Sequence, residues 1–116
     1  MFDAPQAQLD AYNARDIEAF MRCYTDDCVA EDGTGQVMFR GAEAMRQRYT
    51  RLFQDSPNLH CRLVSRVRLG QYVFDEEEIT GRVSPDGAPP LRRAMVVYRL
   101  QQSGGGLIEH IRFYRE

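Results

Sequence analysis

At Leu59 the spacing of apolar residues changes, and that change restricts the fold more than any other feature of the chain. Before it, apolar positions recur at helical intervals: Ile17, Phe20, Met21 and Tyr24 fall at i, i+3, i+4 and i+7. Ala42, Met45, Tyr49, Leu52 and Phe53 repeat the pattern, with Glu43, Gln47 and Arg51 on the opposite side. After it the period is two. Cys61, Leu63, Ser65, Val67 and Leu69 alternate with Arg62, Val64, Arg66 and Arg68, as in a half-buried strand. Further strands are expected over 72–83, 94–100 and 107–114, separated by Gly70-Gln71, the turn-rich 84-SPDGAPP-90 and Ser103-Gly104-Gly105-Gly106. Helices followed by strands with hairpin-type links predict an α+β fold, with three N-terminal helices on one face of an antiparallel sheet.

Local signals place the helix ends. Asp3 before Pro5 reads as an N-cap with proline in the first turn, and Asn13-Ala14-Arg15 ends that helix. Asp16 caps the second helix, on which Glu18 and Arg22 form an i,i+4 solvent pair. Residues 28–32 read as a short strand stopped by Gly33-Thr34-Gly35, and Val37, Met38 and Phe39 as another. Gly41 opens the third helix and Ser56-Pro57 closes it. With 116 residues and no linker or repeat, the expectation is a single domain over 1–116.

Several functions are disfavoured by composition. A net charge of −2 argues against a nucleic-acid partner. Lysine is absent, which removes Schiff-base chemistry and lysine-based phosphate capture. His60 and His110 have no metal-ligand spacing, and no metal or other cofactor is expected. Cys23, Cys28 and Cys61 are odd in number and read as free thiols. No apolar run approaches a membrane span, and MFDAPQAQLD has neither the basic start nor the apolar run of a signal peptide. A cytoplasmic chain without membrane contact is expected.

Four stretches carry a resemblance: 12-YNARDIEAFMRCYTDDCVAED-32, Phe39-Arg40-Gly41, 71-QYVFDEEEITGR-82 and 106-GLIEHIRFYRE-116. Across nearly its whole length the chain resembles the nuclear transport factor 2-like superfamily, in its SnoaL-like and ketosteroid-isomerase-like branch. The resemblance implies a cone-shaped roll with a pocket in its mouth and a homodimer formed through the sheet. It places Asp32 at the general-base position of the isomerase pattern. The two oxyanion donors of that pattern fall on Gln8 and Val96, so neither original donor is present.

The residues themselves add further expectations. Glu31 and Asp32 are adjacent in a strand and cannot enter one pocket together, and Asp32 is taken as the functional acid with a raised pKa. Asp75, Glu76, Glu77 and Glu78 stand in one strand, where acids are disfavoured. Asp75 and Glu77 are expected inward as acid–base groups, with Glu76 and Glu78 facing Arg62, Arg66 and Arg68 across the hairpin. A strict two-residue turn at Gly70-Gln71 would swap those faces and a bulged one would not. His110 is a proton-shuttle candidate, and Gln8, Tyr12, Tyr49, Val96, Tyr98 and Tyr114 are the expected ligand pocket. Two functions stay open: a cofactor-free isomerase or cyclase acting on an apolar or carbonyl-containing ligand, and a non-catalytic ligand-binding or protein-interaction dimer.

Overall fold

The computed structural model describes residues 2–83 and 91–116. The chain runs through α1 (Ala4–Ala14), α2 (Ile17–Met21), β1 (Tyr24–Asp32), β2 (Val37–Arg40), α3 (Ala42–Asp55), β3 (His60–Leu69), β4 (Tyr72–Thr80), β5 (Leu91–Leu100) and β6 (Ile108–Arg115). The strands form one open six-stranded sheet in the order β2-β1-β6-β5-β4-β3, against which the helices pack. The α+β class is as expected. The sheet is mixed, however, because β6 returns to lie parallel to β1 while every other pair is antiparallel. Hairpin signals reveal only sequential neighbours, so this long-range pairing left no local trace. The turn expected at 84–90 lies outside the described residues.

The helix ends follow their local chemistry with one exception. The Asp16 carboxylate accepts the Ala19 amide at 3.1 Å, a side-chain cap on α2. Asp3 occupies the N-cap position of α1 without capping it, and its carboxylate instead receives Arg68 of β3 at 2.8 Å. Arg15 ends α1 in the left-handed region (φ 53°), and Asn13 then clamps β3 by donating to the Cys61 carbonyl at 2.9 Å and accepting its amide at 2.7 Å. Glu18 does not pair with Arg22. It reaches Arg46 of α3 at 2.6 Å.

Tyr24 departs from its helical expectation. Helix α2 stops at Met21, and Tyr24 opens β1 with its side chain still buried against Phe20 at a ring separation of 4.9 Å. One residue thus satisfies a helical spacing and a strand position together, because both elements face the same core. Phe20 is its centre, with the rings of Tyr12, Tyr24, Tyr49 and Phe53 within 6.3 Å.

In the β3–β4 hairpin, Leu69 pairs with Tyr72 across a strict two-residue turn, and a bulge lies between Leu63 and Ser65. The bulge reverses the alternation along β3. Leu63 therefore opposes Glu77, while Arg66 opposes Asp75. Asp75 and Glu77 point inward as expected, at 0% and 5% exposure. Arg66, expected on the outer face with Glu76 and Glu78, is inside. Of the three arginines only Arg62 makes the expected contact, with Glu78 at 2.6 Å, and Glu76 accepts from Ser65 instead.

Candidate functional site

The inner face of the sheet presents its side chains in register rows. Val73, Tyr98, Ile111 and Ala30 form one, crossing β4, β5, β6 and β1. The next holds Asp75, Val96 and Phe113, and the one beyond it Glu77, Ala94 and Arg115. Ile79 and Arg92 stand at the open end. Helices α1 and α3 cover these rows incompletely and leave a cavity of about 70 Å³. Tyr12, Phe20, Tyr24, Tyr49, Tyr98 and Phe113 supply its aromatic walls, and Glu77 its acid.

Glu77 is buried on a central strand, and loss of solvent pushes its carboxyl up to about 7, helped by the nearby charge of Asp75. The Cys61 thiol and the Arg66 guanidinium act in the opposite direction by favouring the carboxylate. Cys61 is itself pushed up, by burial first and then by Glu77. Asp75 is held differently. Arg66 grips it with two parallel hydrogen bonds, Nε to Oδ1 at 2.7 Å and Nη2 to Oδ2 at 2.9 Å. The third nitrogen of Arg66 reaches Gln6 of α1 at 2.9 Å. Asp75 is thus held in a fixed pair with Arg66, whereas no arginine lies within ion-pair distance of Glu77 among the described residues.

A directed hydrogen-bond chain stands beside it. The Tyr24 hydroxyl donates to Gln8 Oε1 at 3.3 Å, and Gln8 Nε2 donates to the Tyr98 hydroxyl at 3.1 Å and to the Pro5 carbonyl at 3.1 Å. An amide nitrogen can only donate, so Tyr98 accepts from Gln8 and keeps its own proton for the cavity. Burial raises the Tyr98 pKa well above its usual value, with the Glu77 charge as the next cause, so Tyr98 remains a protonated donor.

Not every expected site residue meets here. Gln8, Tyr12, Tyr49, Tyr98 and Glu77 line the cavity. Val96 is buried in the sheet between Asp75 and Phe113, and Asp75 lies next to the cavity without lining it. Asp32 ends β1, where its Oδ1 accepts the Thr34 hydroxyl at 2.6 Å, the Thr34 amide at 2.9 Å and the Gln36 amide at 3.1 Å. These bonds, the Thr34 hydroxyl first, lower its pKa, the reverse of what a base near neutrality needs. Asp32 is also separated from Asp75 by three strand spacings, about 14 Å. It is a turn residue.

His110 faces the outer side of the sheet, where its Nε2 lies 2.6 Å from Glu31 Oε1, with Arg112 at 3.2 Å from the same oxygen. Tyr114 shares that face and is exposed. Alternation along β6 puts Ile111, Phe113 and Arg115 inward, and a bulge near Leu100 brings Ile108 to the buried side out of step with His110. Glu31, Tyr114 and His110 therefore belong to the outer surface. Among the described residues, no three His, Cys, Asp or Glu side chains are gathered so as to hold a metal ion. Among the described residues, no helix is long and apolar enough to cross a membrane.

Sequence reasoning missed several cavity residues. Tyr24 was hidden by its helical spacing, and Arg48, Arg82, Arg92 and Arg115 by their distribution over separate elements; the bulge hid the inward turn of Arg66, which pairs with Asp75 outside the cavity lining. The one available signal was the absence of lysine, which makes every long cation an arginine.

Comparisons with known proteins place this arrangement. A cystatin-fold protein of Novosphingobium aromaticivorans superposes with a TM-score of 0.81 at 26% identity, over 95% of this chain and 93% of that one. An LEH-like epoxide hydrolase of M. tuberculosis gives a TM-score of 0.79 at 18% identity, over 97% and 80%. A ketosteroid isomerase-like protein of Catenulispora acidiphila, in complex with trimethylamine, gives 0.75 at 19% identity, over 97% and 84%. In the last two cases the likeness is one of fold. No curated protein matches the chain in sequence. The SnoaL-like domain family matches residues 6–110, nearly the whole fold, and the chain belongs to that family.

Proposed function

We propose that the chain is a cofactor-free enzyme that moves a proton on a carbonyl-containing small molecule, with Glu77 as the acid–base group. The observation that carries this reading is a buried glutamate on the cavity wall whose pKa is raised to about 7. A general base works best when its pKa lies near the working pH. Glu77 takes a proton from the carbon next to the carbonyl and returns it at a second position. Tyr98, polarised through Gln8 and Tyr24, donates to the oxygen as charge develops there. Glu77 takes the part that the resemblance assigns to Asp32, from a strand three places away in the sheet.

A binding-only reading is favoured by one observation: Gln8, at the position of a missing oxyanion donor, has both ends of its amide committed to Tyr24, Tyr98 and Pro5. Exchange of carbon-bound protons separates the two. A panel of small enolisable ketones in deuterated water, followed by NMR, should exchange with a rate that rises as the pH passes through about 7. Glu77→Gln should slow that exchange by about 10²–10⁴-fold. Tyr98→Phe should cost roughly 10²-fold. Asp32→Asn should leave it unchanged. Exchange indifferent to Glu77 would remove the enzymatic reading.

The outer sheet face supports a second element of the proposal, self-association. Val67, Leu69, Tyr72, Met95 and Tyr114 are all at least 40% exposed there, on strands β3 to β6. An apolar surface of that extent on an otherwise charged chain suits contact with a second copy. Light scattering at micromolar concentration should give twice the monomer mass, and Met95→Glu should restore the monomer. A monomeric wild type would refute it.

A further inference from the structure

We infer that the cavity takes an organic anion, with a compact apolar body inside and an oxyanion head, carboxylate or phosphate, held at the mouth by Arg48, Arg82, Arg92 and Arg115. This deepens the reading above by naming the substrate class of the Glu77 cavity. The four arginines come from α3, the segment after β4, β5 and β6, yet all line one cavity.

Their setting differs from that of seven of the other eleven arginines; Arg15, Arg22, Arg40 and Arg51 also form no ion pair among the described residues, but none of these lines the cavity. Arg46, Arg62, Arg66, Arg68, Arg93, Arg99 and Arg112 each form an ion pair with a carboxylate. Among the described residues, no carboxylate lies within ion-pair distance of the four at the mouth. They also act on one another. Desolvation first, then the charges of Arg82, Arg48 and Arg92, with Tyr49 opposing, lower the Arg115 pKa, although its guanidinium stays charged. A chain with a net charge of −2 has thus gathered four like charges along the wall of its aromatic cavity. Such a cluster repels itself unless an anion sits within it, and it draws anions toward the opening.

The groups are also held in place. Arg48 lies over the Phe39 ring at 5.2 Å, and Arg115 over the Phe113 ring at 5.1 Å. Stacked guanidinium forks keep their edges available, which suits two-point contact with a carboxylate or phosphate. The tyrosine hydroxyls make the link to the interior. Tyr12 feels the charges of Glu77 and Arg82, and Tyr49 those of Arg48, Arg115, Glu77 and Arg82. Both line the same cavity as the acid and the four arginines. A ligand anchored by its head at the rim would lay its body along the tyrosines toward Glu77.

Binding is tested apart from turnover, by calorimetric titration with 3-phenylpropionate and its uncharged twin 3-phenylpropanamide. The acid should bind at least about tenfold tighter at low salt, as charge-assisted hydrogen bonds imply, and added salt should erode the difference. Arg48→Gln with Arg115→Gln should abolish the preference and leave amide binding as it was, which also shows that the cavity is intact. Arg112→Gln, on the outer face, should change nothing. Glu77→Gln should keep the preference even where exchange is lost, so failure of the catalytic reading is seen separately. Equal binding of acid and amide, or no binding of either, would overturn the inference. Inorganic phosphate binding as tightly as phenylpropionate would overturn the apolar body. Phenyl phosphate in place of the acid decides which head is preferred.

Discussion

Arg66→Met should lower the stability of the fold by about 3–5 kcal/mol, the range for stranding a buried charge. Asp75 is fully buried on a central strand, and its counter-charge comes from the two hydrogen bonds of Arg66. Methionine keeps most of the stem of arginine and removes the guanidinium, so the loss reports the pair and not the packing. It also severs the bond from Arg66 to Gln6 that ties α1 to β3. Replacing both partners, Arg66→Met with Asp75→Leu, should recover most of the loss, since an apolar pair in place of a buried ion pair is often neutral. Urea unfolding supplies the comparison. A midpoint shift for Arg66→Met no larger than that for Arg62→Met, whose arginine is 61% exposed, would show that the inner pair carries little.

Phe20→Ala should cost a similar amount, about 3–5 kcal/mol, by a different mechanism. Phe20 is 1% exposed, and four aromatic rings surround it at centroid separations of 4.6–6.3 Å. Those neighbours come from α1, β1 and α3, so truncation opens a void where three elements meet. Phe20 also lines the cavity, and the space released joins that cavity. The variant should therefore unfold at lower urea while its cavity admits bulkier ligands. Glu18→Ala, two residues away in the same helix but at the surface, should leave the midpoint unmoved. Equal shifts for the two would mean that α2 does not face the core.

The halves of the chain were unequally legible. Helices α1 and α3 and the strands after Leu59 could be read because each buries one face, and burial of one face imposes a period. The parallel pairing of β1 with β6 could not, since it joins residues about 80 positions apart through no local signal. The inward aim of Asp75 and Glu77 came out as expected, although the reason differed: a two-residue turn and a bulge occur together, and the bulge restores parity next to Glu77. That same bulge sends Arg66 inward, which alternation alone would have denied. Asp32 has the inner-face parity of Phe113 but stands at the end of its strand and does not line the cavity. A glycine-flanked turn with Thr34 captured its carboxylate. His110 failed through parity, being one residue from Ile111, which does face the core. The arginine mouth was illegible because four separate elements build it.

The central claim is that Glu77, buried against the cavity, exchanges its proton near neutral pH. The sign of its effect on stability follows. With a folded-state pKa of about 7 against the usual 4.5, the folded protein holds a proton that the unfolded chain has released. The stability linked to Glu77 is fully present below about pH 4.5 and is lost as the pH rises through about 7, and Glu77→Gln should abolish that slope. The most direct measurement is a carbon-13 NMR titration of the Glu77 carboxyl in the folded protein, assigned by its disappearance in Glu77→Gln. A midpoint near 7 is the expected result. A midpoint near 4.5, where an ordinary glutamate titrates, would contradict it and leave the cavity without an acid suited to proton transfer.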